Sequence, residues 1–213
     1  MKLIDYSCDE FSGLLASHTP TPGGGSAAAM IGSYGAALCS MVAQFTVGRE
    51  KYAEHEAFMN EALECANGLR VEFMAAVDDD TKAYGAVGEV LSMPKTNPDE
   101  KAARKLAMEE ALKKAALVPL KVMELSQSAI ELTYKMAGIS NPNVTSDLGV
   151  AAVSLRAALC GAWLNVRTNL DSIKDEAFTS EYRMRGESII DGALPLADKI
   201  FNEILNARGG KKA

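Results

Sequence analysis

The sequence predicts an all-α fold: an antiparallel up-and-down bundle of long helices, built as a single domain. Three observations point there. Hydrophobic residues make up 48% of the 213 residues but aromatics only 6%, and the apolar content is dominated by alanine, leucine and methionine, which lose little rotamer freedom in a helix. No stretch alternates β-branched and polar residues as a half-buried strand would. Glycine and proline punctuate the chain at a few places, leaving windows of twenty to forty residues with helical periodicity between them.

The elements follow in order. Ser7 and Glu10 have capping-box spacing and open a short helix running to about Ser17. Thr19-Pro20-Thr21-Pro22-Gly23-Gly24-Gly25-Ser26 forms a stiff approach and a glycine turn. Ser26 is then expected to cap a second helix that ends near Gly48. A third helix runs from Lys51 to Leu91, before Pro94. Asn97-Pro98-Asp99-Glu100 starts a fourth, expected to reach Lys135 with a kink at Pro119. Gly138 to Asn143 reads as a loop. A fifth helix opens at Ser146-Asp147 and reaches Leu170, and a last one runs from Asp175 to Ala207 with a kink at Pro195. Residues 1–208 form the predicted domain, with 209–213 as a frayed polar tail. Long helices and short connections are the pattern of a bundle.

A net charge of −6 and a pI near 5.1 argue against a general nucleic-acid binder. Cys8, Cys39, Cys65 and Cys160 are too dispersed for a disulfide framework, which suits reduced thiols in the cytoplasm. With His18 and His55 as the two histidines, no metal-ligand spacing emerges. The apolar run Ala27–Val47 is interrupted by Ser33, Tyr34, Ser40 and Gln44, the pattern of a central bundle helix rather than a membrane span.

Two helices place polar groups where their periodicity calls for hydrophobes. On the third, Phe73, Val77, Asp80, Tyr84, Val87 and Leu91 share one face. A carboxyl group on such a stripe is either a structural anchor or a group that gives and takes protons. Asp78 and Asp79 fall on other faces and are expected to be solvated. On the fifth, Leu148, Ala151, Leu155, Ala158 and Ala162 continue into Asn165 and Asn169. These two amides, four residues apart, either clasp a neighbouring helix or grip a heterocycle. Gly23, Gly24 and Gly25 let a ligand approach the backbone at a helix N-terminus, which favours anionic or electron-rich groups. Asp147 can stabilise the start of its own helix. Lys51, Lys95 and Arg104, near loop ends, are candidate contacts for a carboxylate-bearing ligand.

Taken together these segments resemble the cyclodeaminase/cyclohydrolase family of folate enzymes. The likeness rests on P-T-P-G-G-G-S (Pro20–Ser26), A-L-x-x-M-V (Ala37–Val42), T-x-G-R-x-K-Y (Thr46–Tyr52), D-x-x-A-Y (Asp80–Tyr84) and M-P-K (Met93–Lys95). It continues through V-P-L (Val118–Leu120), S-D-L-G-V-A (Ser146–Ala151), N-V-x-x-N-L (Asn165–Leu170) and D-E-A-F (Asp175–Phe178). Ser140 departs from the glycine that the family carries before the asparagine here numbered Asn141.

The resemblance implies a helical homodimer with folate sites near the subunit interface. It implies Asp80 as the catalytic carboxylate, shuttling protons or attacking the one-carbon centre, with Gly23, Gly24, Gly25, Ser26, Ser146, Asp147, Asn165 and Asn169 binding the substrate; the cations Lys51, Lys95 and Arg104 are expected to meet its glutamate carboxylates. It also implies a tetrahydrofolate derivative as that substrate, with no further cofactor; the charge, helix pattern and Cys/His spacing above lead to the expectation of no nucleic acid, no membrane and no metal. Two reactions fit. One is hydrolysis of 5,10-methenyltetrahydrofolate to 10-formyltetrahydrofolate, the expected one; the other is ring closure of formiminotetrahydrofolate with release of ammonia. A helical adaptor or non-catalytic folate-binding module would also explain the bundle, but not the polar groups on two core stripes.

Overall fold

In the computed structural model, which describes residues 2–209, six α-helices account for most of the chain. They are α1 (Cys8–Leu15), α2 (Gly24–Gln44), α3 (Glu56–Leu91), α4 (Pro98–Met136), α5 (Thr145–Leu170) and α6 (Glu176–Gly209). Among the described residues there is no β-strand. Short 3₁₀ segments, Leu3–Asp5, Glu50–His55 and Pro142–Val144, precede α1, α3 and α5. The expected tail is only partly within view: Gly209 belongs to α6, and 210–213 lie outside the described residues.

Local chemistry accounts for the helix ends. Ser7 and Glu10 form the reciprocal capping box, Glu10 N–H donating to Ser7 Oγ (3.2 Å) and Ser7 N–H to Glu10 Oε2 (2.8 Å). Asn97 and Glu100 repeat it on α4, with Pro98 at the first helical position. In the loop before α5 the positive φ falls on Gly138 (81°), so Ser140 stands where a side chain is tolerated. Pro119 and Pro195 both lie inside continuous helices.

The start of α2 departs from expectation. Its N-cap is Gly23, which has no side chain to offer; Ser26 is already the third helical residue. The acceptor for the free N–H groups comes instead from α3, as described below.

α2 packs against α3 and α5, α4 against α3 and α5, and α6 against α5 and α4. Paired contacts give the directions. Ser26 touches Val77, Gly32 faces Phe73 and Ser40 bonds Asn67, so α2 and α3 run oppositely. Gly24 faces Asn165 and Gly35 faces Leu155, so α2 and α5 do too. Lys113–Asp175, Glu124–Arg185 and Tyr134–Lys199 show α4 and α6 running in the same direction.

Small residues set these spacings. A Cβ on Gly32 would stand 2.4 Å from the Phe73 ring, and one on Gly35 would stand 2.7 Å from Leu155, so both glycines let neighbouring side chains rest on the α2 backbone. The predicted α5 stripe from Leu148 to Ala162 is fully buried. α2 and Pro142–Leu170 are each long and apolar enough to cross a membrane, with 61% and 44% of their most apolar windows buried in the bundle.

Candidate active site

α2 begins where α3, α4 and α5 splay around the glycine turn, leaving a cavity of about 350 Å³. Asp80, Tyr84 and Val87 line it from α3, Leu112 and Ala115 from α4, and Asn165, Thr168 and Asn169 from α5. Pro20 to Gly25 close one side.

Asp80 is held from below. Its Oδ2 accepts the backbone N–H and the hydroxyl of Ser26, both at 2.8 Å. A carboxylate from α3 therefore occupies the N-terminus of α2, where unpaired donors and the helix dipole favour negative charge. The group is half-buried rather than sunk in the core. Its stripe is fully buried at Phe73 and Val77, then opens into the cavity at Asp80 and Tyr84.

Gly25 explains how the acid gets so close: a Cβ there would sit 2.1 Å from Asp80 Oδ1. The neighbouring Asp78 corrects an expectation. It is buried, accepting the Leu3 N–H at 2.6 Å and fastening the N-terminal segment to α3, whereas Asp79 is solvated beside Lys82.

The two asparagines are brought to the same cavity with one donor each already committed. Asn165 Nδ2 donates to the Gly161 carbonyl (2.8 Å) and Asn169 Nδ2 to the Ala115 carbonyl of α4 (2.9 Å). These bonds orient the amides and leave the carbonyl oxygens without a protein donor among the described residues. Asn169 thus also serves as the interhelical clasp considered above. A Cβ on Gly24 would lie 3.3 Å from Asn165 Nδ2, a second close approach at the glycine turn.

Among the described residues no lysine or arginine lines this cavity. Leu112 also borders a larger cleft of about 460 Å³, where Lys95, Lys101, Arg104, Lys105 and Lys174 gather over Leu91 and Met108. Lys95 and Arg104 therefore lie beside the Asp80 cavity rather than in it. Two Arg104 donors are spent on the Val90 and Leu91 carbonyls at the end of α3 (3.1 and 3.0 Å).

Three predicted site residues are not brought here within one chain. Lys51 follows the far end of α2, about 30 Å from the glycine turn at 1.5 Å per residue. Ser146 and Asp147 start α5, about 27 Å by the same rise from the Asn165 end. Ser146 instead borders an apolar groove of about 300 Å³ with Val150, Val153 and Phe201.

Sequence reasoning did not select Thr168, Leu112, Ala115, Lys101, Lys105 or Lys174. Thr168, three residues after Asn165, carried the same helical signal as the asparagines. The lysines carried none beyond charge. Among the described residues no group of three or more His, Cys, Asp or Glu side chains is arranged to hold a metal ion.

An acid seated on a glycine-flanked helix start, faced by two oriented amides, makes a polar cavity of small-molecule size in an all-helical bundle. Comparison with known proteins gives the family: residues 7–188 match the formiminotransferase-cyclodeaminase family model, and the chain belongs to that family. It is 42% identical over 190 residues to the methenyltetrahydrofolate cyclohydrolase of Methylorubrum extorquens, covering 89% of this chain and 91% of that protein. It is 33% identical over 202 residues to the formimidoyltransferase-cyclodeaminase of Mus musculus, covering 95% of this chain but 37% of the larger protein. The crystal structure of formiminotetrahydrofolate cyclodeaminase from Thermotoga maritima superposes with a TM-score of 0.82 at 28% identity, covering 94% of this chain and 98% of that one.

Proposed function

We propose that this chain is a methenyltetrahydrofolate cyclohydrolase, converting 5,10-methenyltetrahydrofolate and water to 10-formyltetrahydrofolate. The observation that carries this reading is the 42% identity to a cyclohydrolase across 91% of its length. The Asp80 cavity supports it, since it offers the base that such a reaction needs. Water adds to the methenyl carbon as Asp80 takes one of its protons. The tetrahedral adduct then collapses: the carbon–N5 bond breaks, N5 receives the proton from Asp80, and the remaining hydroxyl proton leaves to solvent as the formyl C=O forms. This route invokes no metal and no cofactor beyond the folate. The oriented amides of Asn165 and Asn169 would read the pterin edge. The basic cleft with Lys95 and Arg104 would receive the glutamate carboxylates.

The second reading is formiminotetrahydrofolate cyclodeaminase, favoured by the superposition on an enzyme of that name. Loss of the near-ultraviolet absorbance of methenyltetrahydrofolate on adding the protein reports hydrolysis. Appearance of that absorbance from formiminotetrahydrofolate reports deamination, and silence in both assays would favour a non-catalytic folate binder. Asp80→Asn is expected to lower turnover by about 100- to 10,000-fold while leaving the helical circular-dichroism spectrum intact. Near-normal turnover in that variant would remove Asp80 from the mechanism.

We also infer an antiparallel up-and-down arrangement of the long helices and a homodimer, working in the cytoplasm with its four free thiols reduced. The alternating contact directions support the first. For the second, Ile31, Tyr34, Leu38 and Met41 of α2 and Phe45 at its C-cap share one face; Ile31, Tyr34 and Phe45 are exposed at 37, 50 and 46%, and Leu38 and Met41 are half-buried between them. The ends of that row, Ile31 and Phe45, lie equally far in sequence from Leu38. A two-fold axis there would pair α2 with its copy head to tail, setting Ile31 against the partner's Phe45. At a shallow crossing of about 20° it would also bring the partner's Lys51 toward the glycine turn.

A further inference from the structure

Ser26 was expected to cap α2 and to touch substrate, and its surroundings give it a different task. It is fully buried, shut away from the cavity that Asp80 lines. Its hydroxyl carries a single proton with two acceptors in reach, Asp80 Oδ2 at 2.8 Å and the Val77 carbonyl at 3.2 Å. Its backbone N–H is directed at the same Oδ2, at 2.8 Å. Among the described residues, the donors that reach Asp80 therefore converge on one oxygen. Oδ1, the oxygen that a Cβ on Gly25 would meet first, receives none among the described residues.

A carboxylate oxygen that accepts two hydrogen bonds has its lone pairs and negative charge engaged, so an incoming proton goes preferentially to the other oxygen. The donors also pin the rotation of the carboxyl group about its Cβ–Cγ bond, a broad torsion when unrestrained. The helical position of Ser26 fixes the N–H. The shorter of the two hydroxyl contacts, 2.8 Å to Oδ2 against 3.2 Å to the Val77 carbonyl, directs the hydroxyl proton to Asp80.

We infer that Ser26 is a positioning residue for the reaction: by engaging Oδ2 with two donors it makes Oδ1 the oxygen that takes the proton from the attacking water, or from the attacking folate nitrogen in ring closure, and returns it to the leaving nitrogen. Asp80 is the group that meets the reacting atoms, and Ser26 acts only through it. The inference rests on the cyclohydrolase or cyclodeaminase reading of the site, in which Asp80 moves a proton.

A substrate-binding serine and a positioning serine predict opposite kinetics. Ser26→Ala keeps the backbone N–H and removes the hydroxyl, in a helix start already flanked by Gly25 and Ala27. Ser26→Cys fills nearly the same space with a weak donor, so it separates shape from hydrogen bonding. In the folate absorbance assay, kcat is expected to fall by about 10- to 100-fold in Ser26→Ala, the size of one hydrogen bond to a charged group. KM should stay within about twofold of wild type, and Ser26→Cys should remain impaired. A raised KM with unchanged kcat would restore the substrate-contact role and overturn the inference, as would wild-type kcat in both variants. Loss of folding in both would mark the hydroxyl as a packing element and overturn it equally. A wild-type protein silent in both folate assays would instead overturn the functional reading on which the inference stands.

Discussion

Gly25 and Asp80 are a matched pair at the residue scale. The acid reaches the N-terminus of α2 because nothing projects from Cα at position 25, where an added Cβ would come within 2.1 Å of Oδ1 and 2.6 Å of the carboxyl carbon. Gly25→Ala should therefore push Asp80 off Ser26 and cost activity even though alanine is the better helix former. A loss of at least tenfold in kcat is expected, with overpacking costing about 1–3 kcal/mol in stability. Gly13→Ala, with nothing within 4 Å of the new methyl, is the matched control and should change neither. Turnover and thermal unfolding of the two variants check this, and a fully active Gly25→Ala enzyme would show that Asp80 does not need its seat. The glycine triplet was legible in the sequence as a place where something comes close to backbone. The close neighbour seen here is the protein's own carboxylate, a distinction that the glycines alone do not carry.

At the scale of elements, the start of α6 shows how a helix end is tied to its neighbours. Asp175 accepts Lys113 Nζ of α4 at 2.8 Å and the Phe178 N–H at 3.1 Å, while Glu109 of α4 accepts the Asp175 N–H. The Lys113 hydrogen bond, followed by the Phe178 N–H, holds the Asp175 carboxyl below its ordinary value. The bond to Asp175 likewise holds Lys113 above the usual lysine value. The linkage has a definite sign. For Asp175, whose folded value is depressed, the stabilisation is present above the ordinary carboxylate range and is lost as pH falls through about 4 and below. For Lys113 it is present below the ordinary lysine range, and is lost as pH rises beyond about 10.4 through the raised folded value. Trp163, the single tryptophan, lies against Gly186 of α6 and reports its docking. Its emission is expected to shift red on acidification, and to do so at higher pH in Lys113→Ala, which lacks the partner. Superimposable acid transitions in the two proteins would show that this pair does not hold the helix end.

For the molecule as a whole, the proposed partner is a second copy. The outward row on α2 is apolar, and the cations nearest its far end, Arg49 and Lys51, form no ion pair among the described residues. Sedimentation should give twice the 22.6 kDa chain mass, and Tyr34→Arg, at an exposed position, should return it to one. Mixing inactive Asp80→Asn with Lys51→Ala and allowing subunits to reassort should recover about one quarter of wild-type activity, because half the dimers then hold one intact site. A monomer with full activity, or a mixture that stays dead although both variants dimerise, would exclude a Lys51 supplied across the interface.

The amino-acid sequence by itself determined the helices and which face of each is special. Capping chemistry and 3.6-residue periodicity are local properties, and they placed Asp80, Asn165 and Asn169 on the faces where they are found. What only the tertiary structure decided is height along the bundle. Periodicity gives the direction a side chain takes from its helix axis, but not which end of one helix lies beside which end of another. Thus Lys51, Ser146 and Asp147 were grouped with Asp80 from their motifs, and the packing of α2 between α3 and α5 sets them a helix length away. The same packing turned Ser26 from an expected cap into the holder of an acid thirty-six ångströms' worth of helix further along the chain than α3's own beginning (about 24 residues at 1.5 Å each). Such a contact depends on two helices running in opposite directions, a relation that neither helix encodes alone.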